Sequence, residues 1–275
     1  TAPQSTSEPG DGVAFLRDVM TRLRAPKDGC PWDVEQTHES LASCTIEEAY
    51  EVVEAIEQKD ISHLREELGD LLLQVVFHSQ IGSENGSFDL DDVARQEAEK
   101  MIERHPHVFG SRTGVGTADD VLTNWYKDKA VKRAKAAQDA GLKPSVFDGL
   151  NTALPAMTRS TKLQKRAAGV GFDWVDAISV FRKVYEELDE LHVEMDQQDN
   201  QQRIEEELGD VFSALVNLSW HLKVDPETAL RHANQRFEKR FRFIEETVQS
   251  RGQDIRETSL DEMESLWQEA KKNEK

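Results

Sequence analysis

The chain has 275 residues, with 34 basic and 53 acidic side chains and a formal net charge of −19. That length allows one large or two ordinary domains, and a surface so acidic repels nucleic acid and anionic lipid unless a basic face is set apart. A small polyanion would need a cation to bridge it.

The first twelve residues, TAPQSTSEPGDG, have no apolar core of the signal-peptide kind and read as a disordered lead. Helical periodicity then takes over, with apolar residues three and four apart. It marks helices over 13–24, 45–58, 61–82 and 90–105 in the first half of the chain. In the second half it marks 180–196, 203–222 and 226–251. No stretch alternates as a strand does, so the class expected is all-α. The longest apolar run, LLLQVVF (71–77), is far too short to span a bilayer. The His105-Pro106-His107 stretch reads as a turn that ends a helix, since proline breaks the ladder there. Cys30 and Cys44 have neither redox nor zinc spacing. They read as free thiols of a reducing compartment, which predicts a cytoplasmic protein.

The pentapeptide EELGD occurs twice, at Glu66–Asp70 and Glu206–Asp210. Around it the halves align. IEEAYEVVEAI (46–56) matches YEELDELHVEM (185–195), and LREELGDLL (64–72) matches IEEELGDVF (204–212). VARQEAEKMIERH (93–105) matches ALRHANQRFEKRF (229–241), which sets Lys100 opposite Arg236 and Arg104 opposite Arg240. The chain therefore reads as a tandem duplication: a lead over 1–12, a unit over 13–139, a linker over 140–152 and a second unit over 153–275.

Each unit carries Glu-x-x-Glu on one helix and Glu-x-x-Asp on the next. These are Glu48, Glu51, Glu67 and Asp70 in the first, and Glu187, Glu190, Glu207 and Asp210 in the second. Residues three apart share a helix face, and two antiparallel helices joined by a short loop bring such faces together. Four carboxylates that converge repel unless solvent or a cation compensates them, and an all-oxygen set suits Mg²⁺, with Mn²⁺ as a substitute. For a single Glu-x-x-Glu a solvated acidic face is the commoner outcome, but matched register in both halves favours metal. The glycine of EELGD costs about 1 kcal/mol in a helix interior, which predicts close packing against a neighbour. Glu-x-x-His occurs only at Glu35/His38, outside the acidic helix pairs, which argues against a di-iron bundle. No P-loop motif is present.

The doubled EE-x-x-E and E-x-x-D signature resembles that of the MazG nucleoside triphosphate pyrophosphohydrolases. The likeness extends from MTRLRAPKDGCPWD (20–33) through ERHPHVF (103–109) and GVGFDW (169–174) to Trp267. It implies an all-α bundle completed by homodimerisation, dependence on Mg²⁺, and hydrolysis of NTPs and dNTPs to monophosphate and pyrophosphate. Carried onto this chain, it makes Glu187, Glu190, Glu207 and Asp210 the metal ligands. It gives nucleotide contacts to Lys183, Glu186, Arg203, Glu206, Arg236, Arg240, Trp267 and Lys271, and to Lys129 in a connecting helix. Glu186 and Glu206 then stand as spare carboxylates that orient water. Arg203 and Arg236 occupy positions where the family pattern has lysine, which keeps the charge and alters donor geometry. Tyr126 replaces the acid usual after the tryptophan. The resemblance also points to the second unit as the active copy. A narrower dNTP pyrophosphatase and a non-catalytic helical module stay open as alternatives.

Overall fold

The computed structural model describes residues 11–111, 116–139, 141, 143–197 and 200–274. Among them every regular element is helical. The acidic lead over 1–10 lies outside the described residues. Residues 11 and 12, counted with it, belong to the first helix: Asp11 caps α1 (Gly12–Leu23) by accepting from the Ala14 amide.

In the first half α2 (Pro31–Glu35) precedes α3 (Ala42–Gln58) and α4 (Ile61–Glu84). The α3–α4 turn is as tight as a helical hairpin allows. Lys59 ends α3 in the left-handed conformation, φ 58°, and Asp60 at once caps α4 by accepting from the Ser62 and His63 amides. Helices α5 (Leu90–Arg104) and α6 (Pro106–Phe109) follow, with the predicted break at Pro106, which sits at the first position of α6. The core here is Met20, Leu41, Val76, Phe77 and Ile81, drawn from α1, α4 and the approach to α3. Buried Arg24 ties the end of α1 to the end of α4 through a bidentate pair with Glu84, its Nη2 2.7 Å from Oε2. Gly82 lets α5 approach, because a Cβ there would stand 2.8 Å from Phe88 atoms.

Helix α7 (Ala118–Asp139) leads into the second half, where α8 (Ala156–Ala168), α9 (Ala177–Met195), α10 (Gln201–His221), α11 (Pro226–Ser250) and α12 (Leu260–Asn273) follow, with a 3-10 turn at Ile255–Glu257. Helix α9 starts three residues before the predicted point because Asp176 caps it, accepting from the Ser179 amide at 2.7 Å. Helix α8 was not legible from periodicity. Ile244, Val248 and Leu266 form a core between α11 and α12, with Ile255, Met263 and Trp267 against it.

Packing divides the chain into two compact units at Trp125/Tyr126, inside α7. The stretch expected as a linker lies wholly within the second unit, where Arg166 of α8 donates to the carbonyls of Val146 and Asp148. The close packing expected at the EELGD glycines is absent: within the described chain a Cβ at Gly69 or Gly209 would meet nothing within 4 Å. Beside each glycine runs an unpartnered apolar stripe, Leu68, Leu72 and Val75 on α4 and Leu208, Phe212 and Leu215 on α10, all more than a third exposed.

Candidate metal and nucleotide site

The hairpin α9–α10 brings Glu187, Glu207 and Asp210 together, with a carboxylate oxygen from each within 4.8 Å of the others. The hairpin α3–α4 does the same with Glu48, Glu67 and Asp70. Glu67, Glu187 and Glu207 are buried, so their charge is held out of bulk water. The fourth acid of each expected set lies alongside rather than in the triad. Burial raises the Glu190 pKa, helped by the Glu187 charge and opposed by Lys183. Burial also raises that of Glu48, with Glu51 next as hydrogen-bond partner and like charge. Glu67 moves up through burial and the Glu51 charge, against His63. Carboxylates pushed up in this way are crowded anions, and three hard oxygens within reach of one point fit a hard divalent cation.

The second hairpin carries its own cations. Lys183, one turn before Glu187, sits 2.9 Å from Glu187 Oε1 and 2.6 Å from Glu186 Oε1, and those bonds push its pKa up. Arg203, one turn before Glu207, sits 2.5 Å from Glu207 Oε1 and 2.7 Å from Glu206 Oε2. Glu186 and Glu206 are therefore not spare: each is ion-paired, and Glu206 also accepts from Gln202.

The remaining expected contacts form a second cluster, on α11 and α12. Arg240 pairs with Glu274, Nη2 to Oε2 2.6 Å, and its guanidinium lies 5.3 Å from the Trp267 ring centre. Trp267 is half-buried against the α11–α12 core and packs at a tilt on Phe237, ring centres 5.1 Å apart. Arg236 and Lys271 are exposed on the same two helices, and Lys129 lies half-buried on α7. Tyr126 has its side chain outside the described ones.

Sequence reasoning missed two residues. Extending the repeat alignment by one turn puts Cys44 opposite Lys183 and His63 opposite Arg203. His63 Nε2 lies 2.8 Å from Glu67 Oε1, as Arg203 lies beside Glu207. The signal was in the register; only the geometry shows that His63 rests against an acid as Arg203 and Lys183 do.

Fold and site together define an all-α protein of two related helical hairpins, each gathering carboxylates suited to a hard divalent cation. The MazG nucleotide pyrophosphohydrolase domain model matches residues 36–109 and 177–242, the segments that hold the two hairpins and the helix after each. The chain belongs to the MazG nucleotide pyrophosphohydrolase family. It is 45% identical over 260 residues to the nucleoside triphosphate pyrophosphohydrolase of Escherichia coli K12, covering 94% of this chain and 97% of that one. It is 42% identical over 262 residues to the nucleoside triphosphate pyrophosphohydrolase/pyrophosphatase MazG of Thermotoga maritima, covering 94% and 96%. It is also 43% identical over 260 residues to an uncharacterized Bacillus subtilis protein, YabN, covering 94% of this chain and 52% of that one.

Proposed function

We propose that the protein hydrolyses nucleoside triphosphates, NTPs and dNTPs, to monophosphate and pyrophosphate at the α9–α10 hairpin. The observation that carries this is the convergence of Glu187, Glu207 and Asp210, with Glu190 alongside and Lys183 and Arg203 one turn before two of them. The Escherichia coli and Thermotoga maritima relatives support it by their names. Glu187, Glu190, Glu207 and Asp210 would hold Mg²⁺, or Mn²⁺ in its place. Bound there, such an ion neutralises phosphate oxygens and lowers the pKa of a bound water.

The chain's own groups do the rest. Transfer from a phosphoanhydride needs positioning and neutralised charge more than covalent chemistry. Water attacks the α-phosphorus, the bond to the bridging oxygen breaks, and pyrophosphate leaves with that oxygen. Glu186 or Glu206 orients the water, relinquishing part of its ion pair to do so. Arg236 and Arg240, four apart on α11, take the leaving pyrophosphate, and Trp267 with Lys271 and Lys129 borders the nucleotide.

The unpartnered stripes on α4 and α10, together with Phe181, Tyr185 and Leu188 on α9, suit a second copy of this chain completing a four-helix core. Within the dimer the two repeats, 13–139 and 153–275, divide the work. The second catalyses, and the first, with Cys44 and His63 where the second has Lys183 and Arg203, is a decayed copy kept for dimerisation, regulation or a narrower substrate. The described residues include no helix long and apolar enough to cross a membrane. Cys30 and Cys44 are free thiols, which agrees with work on the cytoplasmic nucleotide pool.

The test is product analysis with ATP and a dNTP panel plus Mg²⁺. Monophosphate and pyrophosphate in equal amounts are expected. Diphosphate and inorganic phosphate would rule the reading out, and turnover of a single dNTP would select the narrower house-cleaning role.

A further inference from the structure

Among the differences between the two hairpins, one pair of register positions bears on how each takes a cation. In the second hairpin Lys183 and Arg203 hold Oε1 of Glu187 and of Glu207, two of the three carboxylates that the metal reading assigns to the ion. Each cation is anchored by a second carboxylate, Glu186 or Glu206, outside the triad. In the first hairpin the same positions are Cys44, which brings no positive charge, and His63, whose imidazole Nε2 lies 2.8 Å from Glu67 Oε1.

We infer that Lys183 and Arg203 are resident counter-cations that a divalent ion must displace from Glu187 and Glu207, and that the displaced pair turns to the triphosphate. The first hairpin, with Cys44 and His63 in their place, meets that competition at Glu67 alone, from the His63 imidazole. The inference rests on the reading that the hairpin carboxylates bind a divalent ion. A carboxylate oxygen shared with an ammonium or guanidinium group is a poorer metal donor, and breaking one partly exposed ion pair costs up to about fivefold in binding. Once released, both side chains stand one helical turn from the ion, still tethered to Glu186 and Glu206, where the phosphate charge accumulates. Metal and triphosphate then favour each other at the second site by the same factor in both directions. At the first site the ion binds alone and crosslinks α3 to α4.

The experiment counts Mn²⁺ bound to the full chain without nucleotide, from the electron paramagnetic resonance of the free ion. Two classes are expected. Glu67→Gln with Asp70→Asn should remove the tighter one, and Glu207→Gln with Asp210→Asn the weaker. Lys183→Met with Arg203→Met should tighten the weaker class by roughly five- to twentyfold, while Lys183→Arg leaves it near wild type. The reverse exchange, Cys44→Lys with His63→Arg, should weaken the tighter class by a similar factor. If that double variant fails to fold by circular dichroism, His63→Arg alone carries the same sign. A Lys183→Met/Arg203→Met protein that binds Mn²⁺ as weakly as wild type, or more weakly, overturns the inference while the metal reading stands, because the cations would then be holding the carboxylates in place. Absence of Mn²⁺ binding at both hairpins overturns both.

Discussion

Asp210 and its neighbours illustrate how far single side chains carry the chemistry. With a divalent ion held as proposed, removing one carboxylate from a triad whose oxygens lie within 4.8 Å would open the shell that positions the triphosphate. Glu187→Ala, Glu207→Ala and Asp210→Ala should each lower kcat/KM by at least about 100-fold, since even outer-shell partners of a metal cost 10–100-fold. Glu190→Ala, beside the triad, should cost less. Steady-state pyrophosphate release, with helix content checked by circular dichroism, measures this, and near-wild-type turnover in two of the three triad variants would refute the ligand set. A second residue-scale effect lies in the first unit. His78 sits 2.9 Å from His38, Nδ1 to Nδ1, and 3.1 Å from the Thr45 hydroxyl. Burial first, and the His38 charge second, hold its pKa below the ordinary histidine value of 6.5. The folded state thus binds that proton less readily than the unfolded chain. The contribution is fully present above pH 6.5 and is lost as pH falls through the interval down to the lowered folded value. Melting temperature should fall across that interval in wild type and fall less steeply in His78→Asn; equal slopes would show that the titration lies elsewhere.

Helices α11 and α12 stand or fall by one contact layer. Leu266 is buried against Ile244 and Val248, and it is the element of this core that α12 contributes most deeply. Leu266→Ala should destabilise the second unit by about 2–5 kcal/mol. Urea unfolding followed by tryptophan fluorescence should register it, together with weakened nucleotide binding, because the same layer holds Trp267 against Arg240. A loss below about 1 kcal/mol would mean that α12 is not docked as described. The element scale also explains the asymmetry between repeats. Helix α11 has 25 residues, whereas its counterpart α5 has 15 and stops before His105-Pro106. Proline there cannot continue the hydrogen-bond ladder, so α5 carries Lys100 and Arg104 opposite Arg236 and Arg240 but ends before the surface that α11 continues from Arg242 onward.

For the molecule as a whole, the telling residues are glycines. In an isolated helix Gly209→Ala gains about 1 kcal/mol. Nothing in the described chain would resist the added methyl, since no atom lies within 4 Å of where it would stand. Should a second copy pack on Leu208, Phe212 and Leu215, the same methyl would meet the partner. Gly209→Ala is therefore expected to raise the dimer dissociation constant, and Phe212→Asp to abolish the dimer. Light scattering at micromolar protein reads both. A strictly monomeric wild type with full activity would end the dimer reading, and a Gly209→Ala protein that is only stabilised would move the interface to another face.

Much of this protein was legible before any coordinates. Period and repeat gave an all-α chain written twice, because helical spacing and a copied pentapeptide are local facts. The acids of each hairpin were legible too, since residues three apart on a helix must share a face. What the chain could not say by itself is where the cations rest. Lys183 and Arg203 were visible as charges, but their pairing with Glu187 and Glu207, like that of His63 with Glu67 in the first copy, depends on rotamers and on which oxygens come within 3 Å. The glycines show the same limit from the other side. Their cost in a helix argued for a close neighbour, and tertiary structure alone shows that no such neighbour lies within the described chain, because packing is a relation between distant segments that no local pattern encodes.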